Sequence, residues 1–177
     1  DTFSYAITDS KGGSDYTTLT ITVTGTNDGP DANPDTGAID ENDTLNVSAA
    51  NGVILSGTAA GGVDSDVDGD TLTVTGVSTG TAASVAAVGT SNVGSSLTGT
   101  YGRLTLNANG SYDYIADTAA SEALAKDETA TDTFSYAITD SKGGSDYTTL
   151  TITVTGTNDG PDANPDTGAI DENDTLN

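Results

Sequence analysis

Residues 1–24, DTFSYAITDSKGGSDYTTLTITVT, decide the fold. In the first half Phe3, Tyr5 and Ile7 alternate with polar residues, and in the second Leu19, Ile21 and Val23 alternate with threonine. A period of two places these apolar side chains on one face of a pleated ribbon. Between the halves, Asp9–Asp15 (DSKGGSD) supplies two adjacent glycines able to take positive φ, so the stretch reads as an antiparallel hairpin. Threonine on the outward face favours a strand and keeps it soluble.

The same letters return. Asp1–Asn46 recurs without a change at Asp132–Asn177, with Val47–Thr131 between the copies, which sets a period of 131. That length suits one domain, since domains run to roughly 100–200 residues, and fixed-period self-similarity marks a repeat architecture. The linker Gly25–Asp35 (GTNDGPDANPD) contains Pro30 and Pro34, which fix φ and stiffen it. The linkers set the expected frame. Residues 1–26 are the closing hairpin of a preceding repeat, 28–158 a complete β-sandwich repeat, and 159–177 the linker and start of the following one.

The remaining chain is short strands and turns, which predicts an all-β sandwich. Thr36–Val47 reads as a short edge strand with an irregular middle. Thr71–Val77 (TLTVTGV) changes phase at Val77, which predicts a bulge near Gly76. Weaker patterns suggest strands around Ala82–Val88 and Asn92–Leu97. Tyr101–Asp117 reads as a second hairpin turning at Asn107–Gly110. Thr118–Lys126 holds the one helical patch, AASEALAK, enough for two turns.

Composition narrows the chemistry. The chain carries 27 acidic residues against four basic ones, a net charge of −23. Nucleic acid and anionic lipid need Lys/Arg footprints, so neither is an expected partner. With no Cys and no His, disulfides, thiolate zinc sites, cysteine nucleophiles and imidazole-based triads are excluded. Only 33 % of residues are hydrophobic and there is no Trp, so the core will be thin and a metal ion is the natural staple. No apolar run approaches the roughly 18 residues of a membrane span.

The acids are clustered. Asp64, Asp66, Asp68 and Asp70 alternate, with Gly69 at the sixth place, as at the start of an EF-hand calcium loop. The twelfth place is Thr75 rather than a bidentate Glu, so the pattern predicts calcium in an oxygen-rich β-loop rather than an EF-hand. The other reading is a solvated acidic turn. A second cluster lies in and around the linker: Asn27, Asp28, Asp31, Asn33 and Asp35, then Asp40, Glu41 and Asp43, with Asn158, Asp159, Asp162 and Asp166 as the repeated set. Oxygen ligands from a domain end, a joint and the next domain suit calcium ions that lock the joint, whereas Asn, Asp, Gly and Pro are also ordinary turn residues. The hairpin turn offers Asp140, Ser141, Gly143 and Asp146, copied by Asp9 to Asp15. Paired carboxylates can hydrolyse glycosides, but these acids sit in turn motifs without an aromatic sugar platform, so no enzyme is expected.

Residues 99–159 resemble the VCBS repeat of large bacterial adhesins, in the GTYG, LTLN and NGSY opening, the D-TFSY-ITD-GG middle and the TITVTGTND end. Residues 35–75, with DSDVDGDTLTVTG, resemble the cadherin-like segment that often precedes it. The linker GTNDGP is similar to the cadherin joint D-x-N-D-N-x-P, with Gly25 in place of the first Asp and Gly29 in place of the last Asn. The resemblance implies an immunoglobulin-like sandwich, repeated in giant proteins that leave the cell by type I secretion and often carry RTX repeats. It further implies calcium-stiffened spacers at the bacterial surface, partnered by identical neighbouring repeats. The rival expectations are a calcium-dependent glycan- or protein-binding module and a surface-lattice or matrix component.

Overall fold

The structure is a computed structural model describing residues 1–55, 62–161 and 163–172. Ten strands dominate it. The first hairpin is β1 (Thr2–Thr8) with β2 (Ser14–Thr20), a two-stranded sheet of its own. The others form two four-stranded sheets facing each other, the layout of a β-sandwich. One runs β3 (Asp35–Asp40), β10 (Ser145–Thr155), β9 (Thr129–Thr139), β5 (Thr73–Thr79). The other runs β4 (Thr44–Val47), β8 (Tyr112–Ile115), β7 (Arg103–Leu106), β6 (Ser96–Thr98). Pairing is antiparallel except for β3 beside β10, which is parallel.

The second copy of the opening hairpin is the centre of the first sheet. Phe134, Tyr136 and Ile138 of β9 and Leu150, Ile152 and Val154 of β10 are all buried, as the alternation requires. They face Leu104, Leu106, Tyr112 and Tyr114 of the other sheet, and the rings of Tyr114 and Phe134 meet edge-on with centroids 6.3 Å apart. Burying each such side chain contributes about 1.5–3 kcal/mol. The core is aliphatic and tyrosine-based, as the composition implied.

The predicted single edge strand over Thr36–Val47 is two strands, one at the edge of each sheet. The chain crosses between layers at Glu41–Asp43. Asn42 takes a left-handed φ of 65° there, a conformation Asn tolerates better than most residues. The Glu41 amide bonds to the Thr155 carbonyl of one sheet and the Asn42 amide to Ala116 beside the other. The predicted bulge is present: the β5–β9 register shifts between Val74 and Gly76, so Val74 and Val77 both point inward. Gly76 is required at this point, because an added Cβ would lie 1.9 Å from the Gly89 carbonyl oxygen.

Three further expectations are corrected. Ala82–Val88 is not a strand: Val85–Val88 is a one-turn helix, α1, with the Ser84 hydroxyl accepting from the Ala87 amide. Of Asn92–Leu97 only Ser96 and Leu97 enter a strand, β6. Thr118–Lys126 is a run of turns rather than a helix. The Ser121 hydroxyl bonds the Thr118 amide and carbonyl, and this local bonding competes with the helical ladder.

The GTYG motif has a structural use. The Asp132 carboxylate, buried at the entry to the TFSY strand, accepts from the amides of Thr100, Tyr101 and Gly102 at 2.8, 3.0 and 3.1 Å and from the Tyr114 hydroxyl at 2.7 Å. One carboxylate thus ties the loop before β7 to β9 and to β8.

Candidate metal centre

The linker is laid across one end of the sandwich and held there by aspartates of the Asp64–Asp70 loop and of the β9–β10 hairpin. Asp31 and Ser65 exchange two backbone hydrogen bonds of 2.8 and 3.1 Å. The Asp28 amide donates to Asp68 (2.8 Å), the Ala32 amide to Asp146 (2.9 Å), and the Asn33 amide to Asp64 (2.7 Å). The Asn27 side-chain amide donates to Asp140 at 2.7 Å. Asp140 closes the β9–β10 turn, its other oxygen accepting from Lys142, Gly143 and Gly144. These bonds, led by that from Asn27, hold its carboxyl below the usual range.

The four alternating aspartates divide. Asp66, Asp68 and Asp70 each bring an oxygen within 4.8 Å of the others. The Asp66 Oδ1 atom accepts from the amides of Asp68 and Asp70 (2.8 and 3.3 Å), curling the loop, and Gly69 takes a positive φ of 75°. Asp64 turns inward instead. It is buried and shares the Tyr136 hydroxyl with Asp35: the phenol oxygen is 3.1 Å from Asp64 and 2.8 Å from Asp35. One phenol proton cannot serve both carboxylates. Burial, with the nearby charges of Asp35 and Asp146, pushes Asp64 up to about 7. Burial, with the carboxylates of Asp64 and Asp35, pushes the Tyr136 hydroxyl up.

Glu41 is elsewhere. Strand β3 carries Asp35 at one end and Asp40 at the other, so Glu41 and the Asn27–Asp35 set, read in the sequence as one linker cluster, stand at opposite ends of the domain. Buried Glu41 accepts from the amide and hydroxyl of Thr157 with Oε1, at 2.6 and 3.0 Å. Asn158 and Asp159 follow directly and are exposed, with the Asn158 side chain bonding the Asp159 carbonyl. Asp31 lends its backbone while its side chain stays exposed, as are Asp40, Asp43 and Asp166. In the free hairpin, Asp9 makes the same local turn bonds to Lys11 and Gly13 but is exposed, as is Asp15. Asp162, also within the predicted linker set, lies outside the described residues.

The donor set fits a hard cation. Asp66 Oδ2 and Asp70 Oδ2 at the linker end, and Glu41 Oε2 at the other, are shielded from solvent without a hydrogen-bond partner. A buried carboxylate oxygen left unpaired is costly, and oxygen-only donors of this kind suit calcium. Lys142 pairs with the remaining oxygen of Asp70, and that contact raises the lysine's pKa. The sequence reading passed over Tyr136 and Lys142. Tyr136 obeys the core alternation, which says nothing of where its hydroxyl ends. Lys142 carried a usable signal, as one of only four basic residues.

Among solved structures the chain is similar to an endo-fucoidan hydrolase from glycoside hydrolase family 107, at 15 % identity and a TM-score of 0.30, covering 88 % of this chain and 22 % of that one. The chain therefore spans about a fifth of that enzyme. Comparison with curated proteins gave no match. Among the described residues, no helix is long and apolar enough to cross a membrane. The family model for the bacterial cadherin-like domain matches residues 27–156, from the start of the docked linker to the end of β10, and the chain belongs to that family.

Proposed function

We propose that this domain is a calcium-stiffened extender repeat of a giant secreted bacterial adhesin, a VCBS-type unit of the RTX class that leaves the cell by type I secretion. Stacked with identical neighbours, it would hold a terminal ligand-binding region away from the cell surface for adhesion or biofilm formation. The unit is a spacer, without catalytic work of its own.

The observation that carries this reading is the buried, half-satisfied carboxylate of Glu41 beside the joint. Asn158 and Asp159 repeat Asn27 and Asp28. The Glu41 end of one repeat therefore faces the Asp66–Asp70 end of the next across the same linker sequence. Glu41 would supply oxygen from one side and the next repeat's Asp66, Asp68, Asp70 and Asp140 from the other, with the linker's Asn158 and Asp159, which take the place of Asn27 and Asp28 for that next repeat, between them. Calcium bound there offsets the crowded negative charge and crosslinks the linker to both domains. At about 100 times its dissociation constant one ion adds about 2.7 kcal/mol, a large share of a domain stability on the order of 5–15 kcal/mol. Calcium is scarce in the cytosol and about millimolar outside, so the same ions would couple rigidity to export.

The test is small-angle scattering on several tandem repeats in millimolar calcium and in chelator, with a Glu41→Gln series alongside. A rod that becomes flexible in chelator, with Glu41→Gln weakening the calcium response, supports the extender. An identical profile in both conditions rejects it, and specific capture of a glycan by the calcium-loaded protein would move the binding-module reading ahead.

A further inference from the structure

The two copies of the linker show the two sides of one joint. At the end of the domain, Thr157 is held by its own repeat. Its amide and hydroxyl both donate to Glu41, and Gly156 beside it bonds Asp127 and Glu128 through the backbone. At the start of the domain, Asn27 is held by the repeat that follows it. Its side-chain amide donates to Asp140, and the next backbone amide, that of Asp28, to Asp68. Thr26 and Asn27 are the counterparts of Thr157 and Asn158. The last residue gripped by one repeat and the first gripped by the next are therefore chain neighbours, with Cα atoms about 3.8 Å apart. Both grips are carboxylates, so two repeats bring two negative groups to one peptide step. The cation at that place is Lys142. Its amide bonds Asp140 at 2.7 Å, and its side chain, more than half exposed, shares a hollow with Thr26, Asn27 and Asp68. Thr26 is the counterpart of the residue that Glu41 holds.

We propose that consecutive repeats meet end to end without slack, the single step from Thr157 to Asn158 being their hinge, and that Lys142 of the following repeat pairs with Glu41 across it. The partner of this surface is the next copy of the repeat in the same chain. Thr157 takes one oxygen of Glu41, and the other has no partner among the described residues. The lysine ammonium carries three donors on a flexible four-carbon stem, so it can keep Asp70 and add Glu41. With the residues on both sides of the step held, the freedom left to the joint is the pair of soft backbone dihedrals that flank one planar peptide. Calcium-free repeats then swivel about that step, with the ion pair as the brake. The inference rests on the tandem stacking proposed above and not on its calcium.

Two consecutive repeats decide it, spin-labelled at Ser96→Cys in each, since the chain has no cysteine of its own. The distance distribution between the labels is read in chelator. Glu41→Gln in the first repeat and Lys142→Gln in the second each remove one side of the pair, and Gln keeps an acceptor for Thr157. Each should raise the bent population by up to about fivefold, and the two together no further. The same substitutions placed the other way round, Lys142→Gln in the first repeat and Glu41→Gln in the second, remove the same local contacts away from the joint and should match wild type. Two glycines inserted between Thr157 and Asn158 should widen the distribution and cancel the effect of every variant. The proposal is overturned if placement makes no difference, if the two joint-facing substitutions act additively, or if the insertion leaves the distribution narrow. Calcium added to the same proteins separates the two readings. A wild type that calcium fails to narrow rejects the calcium-stiffened extender and leaves the pair standing, whereas variants equal to wild type in chelator but narrowed by calcium reject the pair alone.

Discussion

The ammonium of Lys142 is paired with a carboxylate oxygen of Asp70, inside the trio that also includes Asp66 and Asp68. The hairpin turn thus offers its own cation to the loop proposed to take calcium, and the two must compete. Half-exposed ion pairs contribute about 0.2–1 kcal/mol, so Lys142→Gln should tighten calcium binding by up to about fivefold. It should also lower the melting temperature in chelator, where the trio loses its counter-charge. Calorimetric titration of both proteins reads the first effect, and equal affinities would remove Lys142 from the site.

Asp64 sets a pH dependence in calcium-free protein. Its folded pKa, about 7, lies above the ordinary carboxylate value of 3.8, so between those limits the native state binds more protons than the unfolded one. Stability then falls as pH rises through that window, by up to about 1.4 kcal/mol per pH unit from this group. Asn in its place keeps an acceptor for the Asn33 amide but does not titrate. Denaturant melts of wild type and Asp64→Asn at pH 5 and pH 8 in chelator should show the wild type weakening towards pH 8 and the variant weakening less. Equal slopes would refute the assignment.

Gly144 and Gly13 are the same residue of the repeat in two settings, and alanine distinguishes them. At Gly144 a Cβ would lie 2.3 Å from the Asp140 carboxylate and 2.6 Å from the Gly29 Cα of the docked linker. At Gly13 the nearest atom is the free end of Asp9 at 3.0 Å. Gly144→Ala should lift the linker and cost about 1–3 kcal/mol, whereas Gly13→Ala should leave the main melting transition where it was. Amide exchange at Asp28, Ala32 and Asn33 locates the effect: those amides should lose protection only in Gly144→Ala.

Removing the Asp132 carboxylate strands the amides of Thr100 and Tyr101, the buried amide of Gly102 and the buried Tyr114 hydroxyl. Hydrogen bonds to a charged group contribute about 1.5–3 kcal/mol each, and orphaned donors add their own cost. Asp132→Ala should therefore destabilise by at least about 3 kcal/mol in a urea melt. A loss under about 1 kcal/mol would show that the GTYG loop finds other acceptors.

The strands of the first sheet were legible because alternation reports which face is buried: β10 obeys it, and β9 keeps Phe134, Tyr136 and Ile138 inward although Ser135 and Ala137 on its other face are buried too. The bulge was legible because Val77 breaks phase and glycine precedes it. The divided edge strand was not, since nothing in TGAIDENDTLNV distinguishes one irregular strand from two in different sheets. The acidic loop was read as four ligands in a row, but only three converge. Asp64 is drawn inward by the Tyr136 hydroxyl, whose position depends on a strand far away in the sequence. The ends of β3 separated Glu41 from Asp35, which lie close in sequence and far apart in the domain.

The parallel pairing of β3 with β10 bears on how the domain carries tension. The chain enters β3 at Asp35 and leaves β10 at Thr155, at opposite ends of a ladder that runs from Leu150 beside Asp35 to Thr155 beside Asp40. Force applied through the two linkers slides one strand along the other. Every rung of that ladder is then strained together, as in a lap joint pulled lengthwise, and none can be peeled open first.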